Sequence, residues 1–280
     1  MKFGVVMFPT DYSTHPVDLG RAAEDLGFES LFFPEHTHIP TNRQSPWGGG
    51  AELPREYWHC LDPFVALSAV ASVTEKIKLG TGICLVIERD PITLAKAVAS
   101  LDLLSNGRVL FGIGGVWNRE EMAHHGTDFS RRWKVLRERM EAMQAIWTQD
   151  EAEYHGEFVN FEPIWSWPKP VQKPYPPVLI GGDGANTFKR VVRYGDGWMP
   201  IGSRARNDFA DRIQELNDLA AEAGRGPIPV TIFMPPPKPE LLEEYAKLGV
   251  ERVVFGLPSA AAEEVMPKLK RHAELAAQFA

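Results

Sequence analysis

The chain has 280 residues, 44% of them hydrophobic and 24% charged, a composition of ordinary folded proteins that excludes disordered, collagenous and coiled-coil rods. Its 30 Lys and Arg against 37 Asp and Glu leave a net charge of −7, the wrong sign for a surface that follows a nucleic-acid backbone. Cys60 and Cys84 alone build neither a disulfide framework nor a four-cysteine zinc site. The apolar run at residues 3–8 is too short for a signal-peptide core, and no 18 apolar residues follow one another, so a cytoplasmic protein without a membrane partner is expected.

Short β-rich runs alternate eight times with stretches of helical period. The first strand is expected at residues 3–8; the helix after it carries Leu19, Ala22, Ala23 and Leu26 at i, i+3, i+4, i+7 and is closed by Gly27. The second, 30–33, runs into Pro34-Glu35-His36-Thr37-His38 and a long connection over residues 36–60 that holds Trp47, Tyr57 and Trp58. Asp62 before Pro63 and Asp90 before Pro91 each place an N-cap acceptor ahead of a proline whose missing N–H costs a first turn nothing, so helices begin there, flanking a third strand at 77–85. After Gly107 comes the fourth strand, 109–114, and then a helix with Leu136, Met140, Met143 and Trp147 in phase. A second long connection, 149–177, reads as an aromatic hairpin around 154–158 followed by a proline-rich run. The remaining strands are expected at 178–180, 198–199, 230–234 and 253–255, with Gly195 and Gly249 as helix-ending left-handed glycines.

Eight β-then-α units predict a (β/α)₈ TIM barrel, one domain over residues 1–280, with insertions after strand 2 and before strand 5. Connections this long in a compact domain are usually functional, and the first begins at a strand's C-terminal end, where barrel sites form, so it reads as a lid.

The fifth strand ends in Gly181-Gly182-Asp183-Gly184-Ala185-Asn186-Thr187 before a helix. Glycines let backbone approach a ligand, and the unpaired N–H groups of the helix start hold a phosphate. The spacing Gly182-x-Gly184-x-x-Thr187 nearly matches a dinucleotide fingerprint but has Thr in place of its last glycine, and a mononucleotide-like phosphate fits better. The third strand ends in Gly80-Thr81-Gly82-Ile83-Cys84 and the fourth in Gly112-Ile113-Gly114-Gly115-Val116-Trp117. Three glycine-rich ends point to a flat ligand lying on backbone. Glu35 and His36 offer an acid/base pair, with His38 a second imidazole. His-x-His also suits a metallohydrolase, but no further ligands assemble at other strand ends, so no metal is expected. Arg43, Arg55, Arg89, Arg119, Lys189, Arg190, Arg204 and Arg206 all follow strand ends, where they can face an anionic ligand.

The chain resembles the luciferase-like monooxygenase superfamily, in the branch that uses the deazaflavin coenzyme F420. The resemblance covers nearly the whole chain and rests on Leu79-Gly80-Thr81-Gly82 with Asp90-Pro91, on Leu103-Leu104-Ser105-Asn106-Gly107-Arg108 before Gly112-x-Gly114, on Pro168-Lys169-Pro170-Val171-Gln172, and on Ile180-Gly181-Gly182 with Gly195-Asp196-Gly197-Trp198. It implies the barrel fold, a flavin or deazaflavin in the barrel mouth, a small organic substrate, and a homodimer packed through the second and third barrel helices. It places His36 beside the ring's reactive centre, a bulge with a cis peptide at Gly82-Ile83 behind the ring, Cys84, Gly114 and Gly115 near it, and the tail phosphate at residues 181–187. Family dehydrogenases carry a catalytic Glu shortly after strand 4, where this sequence has Trp117, with Glu120 and Glu121 only later; that departure favours a reductase or monooxygenase acting on an unsaturated or carbonyl substrate. An FMN-dependent two-component monooxygenase is the alternative; a metal-dependent hydrolase and a barrel that only carries the cofactor also remain.

Overall fold

A computed structural model of the chain describes residues 1–50, 52–202 and 208–279; Arg204 and Arg206 lie outside them. Eight parallel strands form one sheet: β1 (Lys2–Val6), β2 (Ser30–Phe33), β3 (Lys78–Thr81), β4 (Val109–Ile113), β7 (Val178–Gly181), β8 (Gly197–Met199), β9 (Thr231–Phe233) and β10 (Arg252–Gly256). The order β8-β7-β4-β3-β2-β1-β10-β9 leaves β8 and β9 as its ends. Parallel bridges Trp198↔Val230 and Ile201↔Phe233 join them, with Phe233 N–H donating to the Pro200 carbonyl at 2.8 Å. The result is a TIM barrel.

The missing strand numbers are the insertion: β5 (Glu151–His155) and β6 (Asn160–Trp165) pair antiparallel as the expected hairpin. Its proline-rich exit is fixed by Gln172, whose N–H and Nε2 both donate to the Asp102 carboxylate (2.9 and 2.7 Å), while Nε2 also reaches the Val109 carbonyl. Lys169 Nζ caps the carbonyls at the end of α6 (Arg132–Thr148). These two residues explain the Pro-Lys-Pro-Val-Gln run: it ties the insertion to the base of β4 and to α6.

The helix signals divide. α3 (Pro63–Ala71) and α4 (Pro91–Leu104) begin as expected, with Asp62 accepting from Phe64 and Val65 N–H and Asp90 from Thr93 N–H. Gly27, Gly107 and Gly249 are left-handed, at φ of 83°, 77° and 73°. Gly195 is not: its φ is −109°, and it is glycine because a Cβ would stand 2.5 Å from Ile180. In α1 (Pro16–Asp25) Leu19 and Ala23 are buried, but Leu26 falls past the helix end and is 37% exposed. In α6 all four predicted residues are buried. The third strand is shorter than the sequence suggested: regular pairing ends at Thr81, a single parallel bridge of Cys84 to Ile113 follows, and the chain then turns through a short helical turn at Val86–Glu88.

Inside the barrel, Val6, Phe32, Leu110, Leu179, Met199, Phe233 and Val254 form a core separate from the larger one between sheet and helices. Two strand glycines read as ligand-facing belong to this packing instead. A Cβ on Gly80 would enter the Phe32 ring at 2.2 Å, and one on Gly112 would stand 2.0 Å from the Thr81 carbonyl oxygen. No helix among the described residues is long and apolar enough to cross a membrane.

Candidate active site

A cavity of about 870 Å³ opens at the C-terminal ends of the strands, within the range of small-molecule sites. Its inner end is backbone and apolar side chains: Gly82 and Ile83 after β3, Gly114 and Gly115 after β4, Gly181 at the end of β7, with Met199 and Phe233. The Gly82-Ile83 peptide is cis, as expected. Gly82 sits where a Cβ would be 2.5 Å from Phe233, and Gly115 where it would be 1.9 Å from Trp133, so the protein's own packing already demands these glycines.

The loop after β7 behaves differently. Gly182 has φ of 104°, and a Cβ on Gly182 or Gly184 would meet nothing closer than 3.9 and 4.0 Å, both times Thr187 Oγ1. Gly182, Asp183, Gly184 and Thr187 line the cavity where α7 (Thr187–Tyr194) begins. Trp198 holds the loop: its Nε1 donates to the Gly182 carbonyl at 2.8 Å, and two residues earlier Asp196 accepts from Val178 N–H at 3.0 Å. Gly-Asp-Gly-Trp is the brace of this loop. Asn186 stands at the N-cap without a capping side-chain bond and does not line the cavity.

Three arginines stand at the outer end, Arg119 and Arg132 bracketing α5 (Arg119–His124) and the start of α6, and Arg190 on α7. Arg190 lies over the Trp133 ring at 3.4 Å, Arg132 over Phe129 at 3.6 Å and Arg119 over Phe129 at 4.2 Å. None has a carboxylate within ion-pair distance among the described residues. Burial holds the Arg132 and Arg190 guanidiniums below their usual range; the charge of Arg119 adds to this at Arg132, and that of Arg132 at Arg190. With Glu120 and Asp183 the only carboxylates among the described lining residues, the three guanidiniums leave the lining net positive, which suits an anion.

His36 lies behind the wall, 9% exposed and not in the lining itself. Its ring packs on Tyr57 (5.0 Å) and edge-on to Trp117 (5.9 Å), a wall residue. Nδ1 is 2.8 Å from Glu121 Oε2, and the other oxygen of that fully buried carboxylate accepts Thr37 N–H at 3.0 Å. Tyr57 is itself positioned by Trp47, whose Nε1 donates to its hydroxyl. Glu120 accepts from the backbone N–H of Gln44 and Ser45, fastening the long β2 connection to α5.

Glu35 does not join His36 as an acid/base partner. One oxygen accepts Leu85 N–H at 2.7 Å and the other is held by Arg89, which also binds Asp62. The carboxylate ties β2 to the turn after β3. Cys84 is fully buried and absent from the lining, and burial pushes its thiol well above the usual range; that of Cys60 is pushed up to about 12. Among the described residues, no cluster of His, Cys, Asp and Glu is placed to hold a metal. Sequence reasoning missed Arg132 and Trp133, whose only signal was their place at a helix start, and did not see that Glu121, 85 residues away, reaches His36.

Residues 1–237 match the family described as luciferase-like monooxygenase. The chain is 45% identical to the uncharacterized protein Rv0953c of Mycobacterium tuberculosis over 100% of this chain and 99% of that one. It is 27% identical to the F420-dependent glucose-6-phosphate dehydrogenase of Amycolatopsis mediterranei over 74% of this chain and 59% of that protein. Among solved structures it is similar to the monooxygenase RslO1 from Streptomyces bottropensis (TM-score 0.82, 20% identity, all of both chains). It is also similar to the coenzyme F420 dependent tetrahydromethanopterin reductase from Methanopyrus kandleri (TM-score 0.75, 20% identity, 99% and 97%).

Proposed function

We propose that this chain, which belongs to the luciferase-like monooxygenase family, is a coenzyme F420-dependent oxidoreductase that moves a hydride between the deazaflavin and a small organic substrate. The observation that carries this reading is the division of the cavity: a glycine and aliphatic inner end that receives a planar ring, and three arginines at the outer end with no ion pair among the described residues. The open cradle at Gly182 and Gly184 beside the start of α7 fits the tail phosphate, with N–H groups and the helix dipole turned to it. The relatedness to an F420-dependent dehydrogenase supports the choice of cofactor.

When bound, the deazaflavin supplies a hydride donor or acceptor. The chain's residues do the rest. Gly82, Gly114 and Gly181 let backbone lie against the ring; Arg119, Arg132 and Arg190 hold the anionic tail; Trp117 and Phe233 exclude water; His36, oriented by Glu121, gives or takes the proton that accompanies the hydride. Glu121 is held by His36 and Thr37, Glu120 lines the cavity but accepts from the backbone N–H of Gln44 and Ser45, and Trp117 occupies the wall, which favours reduction of an unsaturated or carbonyl substrate over alcohol dehydrogenation.

FMN is the competing ligand. It carries one phosphate, against the phosphate and carboxylates of the deazaflavin tail, so three arginines favour the latter. Titration of the protein with each compound, read by fluorescence, tests this: tighter binding of coenzyme F420, weakening with salt as exposed charge contacts are screened, is expected. Tight FMN binding with no response to the deazaflavin reverses the assignment. Two further parts of the reading are a cytoplasmic setting, where Cys60 and Cys84 stay reduced, and a homodimer through α3 and α4. Those helices are apolar on more than their core faces, leaving Val65 71% and Leu104 74% exposed.

A further inference from the structure

The His36-Thr37-His38 run is only partly used by this reading, and it meets a second histidine pair, His124 and His125, at the end of α5. We propose that Glu121, Thr37, His38 and His124 form a proton conduit joining the buried imidazole of His36 to solvent. The inference rests on the role of His36 proposed above. Each link is at or near hydrogen-bond distance: His36 Nδ1 to Glu121 Oε2 2.8 Å, Glu121 Oε1 to Thr37 Oγ1 3.4 Å, Thr37 Oγ1 to His38 Nδ1 2.9 Å, and His38 Nε2 to His124 Nδ1 2.8 Å. A branch runs from Thr37 Oγ1 to His125 Nε2 at 2.8 Å. The path starts at buried His36 and Glu121 and comes out at residues open to solvent, exposed Thr37, partly exposed His38 and exposed His124.

Every member both accepts and donates a proton, as imidazole, carboxyl and hydroxyl groups do. A proton taken at His36 Nε2 releases the one on Nδ1 to Glu121. The carboxyl, after rotating about its Cγ–Cδ bond, delivers it to Thr37 Oγ1, whose own proton passes to His38 Nδ1. The proton on His38 Nε2 moves to His124 Nδ1, and His124 Nε2 gives its proton to water. One proton has left, and the reverse passage in the opposite half-reaction restores every tautomer. The other ionisable groups packed around the path do not interrupt it. Glu35 is bound to Arg89 and Arg89 to Asp62; Cys60 donates to the Pro34 carbonyl; Glu88, from the turn after β3, lies beside Glu121 and 3.9 Å from His125.

The test uses the full chain with ¹⁵N-labelled histidines and no added ligand: NMR measures exchange of the His36 Nδ1 proton with solvent in wild type, Thr37→Val and Thr37→Ser. Exchange more than tenfold slower in Thr37→Val, and near wild type in Thr37→Ser, is expected. Wild-type exchange in Thr37→Val overturns the conduit. If Thr37→Val fails to fold, the double variant His38→Gln/His125→Gln, altered at partly or fully exposed positions, takes its place with the same two outcomes. Slowed exchange together with undiminished turnover in His36→Ala leaves the conduit standing and removes the function of His36. Wild-type exchange with lost turnover in His36→Ala does the reverse.

Discussion

An alanine Cβ at Gly112 would stand 2.0 Å from the Thr81 carbonyl oxygen, and one at Gly82 would stand 2.5 Å from Phe233, whereas at Gly184 it would meet nothing nearer than 4.0 Å. The two ends of the cavity thus use glycine for different reasons. At the inner end the chain has filled its own space, and the polar groups behind it, His36, Glu121 and Thr37, are bonded to one another. At the outer end, arginines lie on aromatic faces without a carboxylate partner among the described residues, and the loop glycines face open volume. A surface satisfied by the chain alone reports on folding and positioning. One left unsatisfied by the chain reports on what the chain binds.

Substitutions at the two ends should therefore separate. The largest effect belongs to His36→Ala, which should lower turnover by roughly 10² to 10⁴, the contribution of a positioned general acid or base, with cofactor affinity nearly unchanged. Absorbance of the deazaflavin on rapid mixing with substrate measures it, and unchanged turnover would reduce His36 to a packing role. Gly112→Ala comes next. The atom it strikes is backbone, which cannot rotate away, so a loss of about 3 kcal/mol or more is expected in urea unfolding, the upper end of overpacking. Gly184→Asp should do the opposite. Its Cβ has room, but its carboxylate enters the cradle that receives the phosphate and repels it, so cofactor binding should weaken more than tenfold, about 1.4 kcal/mol, while the melting temperature stays put. Equal losses of stability in the Gly112 and Gly184 variants would erase the distinction between the two ends.

That distinction was not legible in the sequence, where Gly80, Gly82, Gly112, Gly114 and Gly184 look alike. Fold class was legible, because eight alternations of period and the Asp-Pro caps are local signals, and the structure reproduces them at Asp62 and Asp90. The sequence pattern also picked out the loop at residues 181–184, since local backbone chemistry decides it. What a glycine's missing Cβ would strike depends on side chains such as Phe32 and Phe233, which lie far away in the chain. For the same reason the pairing of Glu35 with Arg89 rather than with its neighbour His36 was hidden. Both residues lie past the end of β2 at Phe33, and which partner each side chain meets there is decided by residues far along the chain, Arg89 for Glu35 and Glu121 for His36. His36 instead found Glu121 on α5, the helix that follows β4.

One group on the inner side departs from the rule that the chain satisfies itself there, and it offers the smallest and most diagnostic effect. Neither oxygen of Glu88 has a hydrogen-bond donor, and its side chain is wholly buried. Burial, reinforced by the charges of Glu121 and Glu35, raises its pKa from 4.5 to about 9. At neutral pH the folded protein therefore keeps a proton on Glu88 that the unfolded chain has released. Because the folded state binds more protons, stability falls as pH rises between those two values. Glu88→Gln has no such group to ionise, so relative to wild type it should gain on the order of 1 kcal/mol for each pH unit across this window, the worth of one pKa unit being about 1.4 kcal/mol. Urea midpoints of the two proteins at pH 5, 6, 7 and 8 read this directly. Parallel pH profiles would mean that Glu88 is ionised in the fold, facing His125 Nε2 at 3.9 Å.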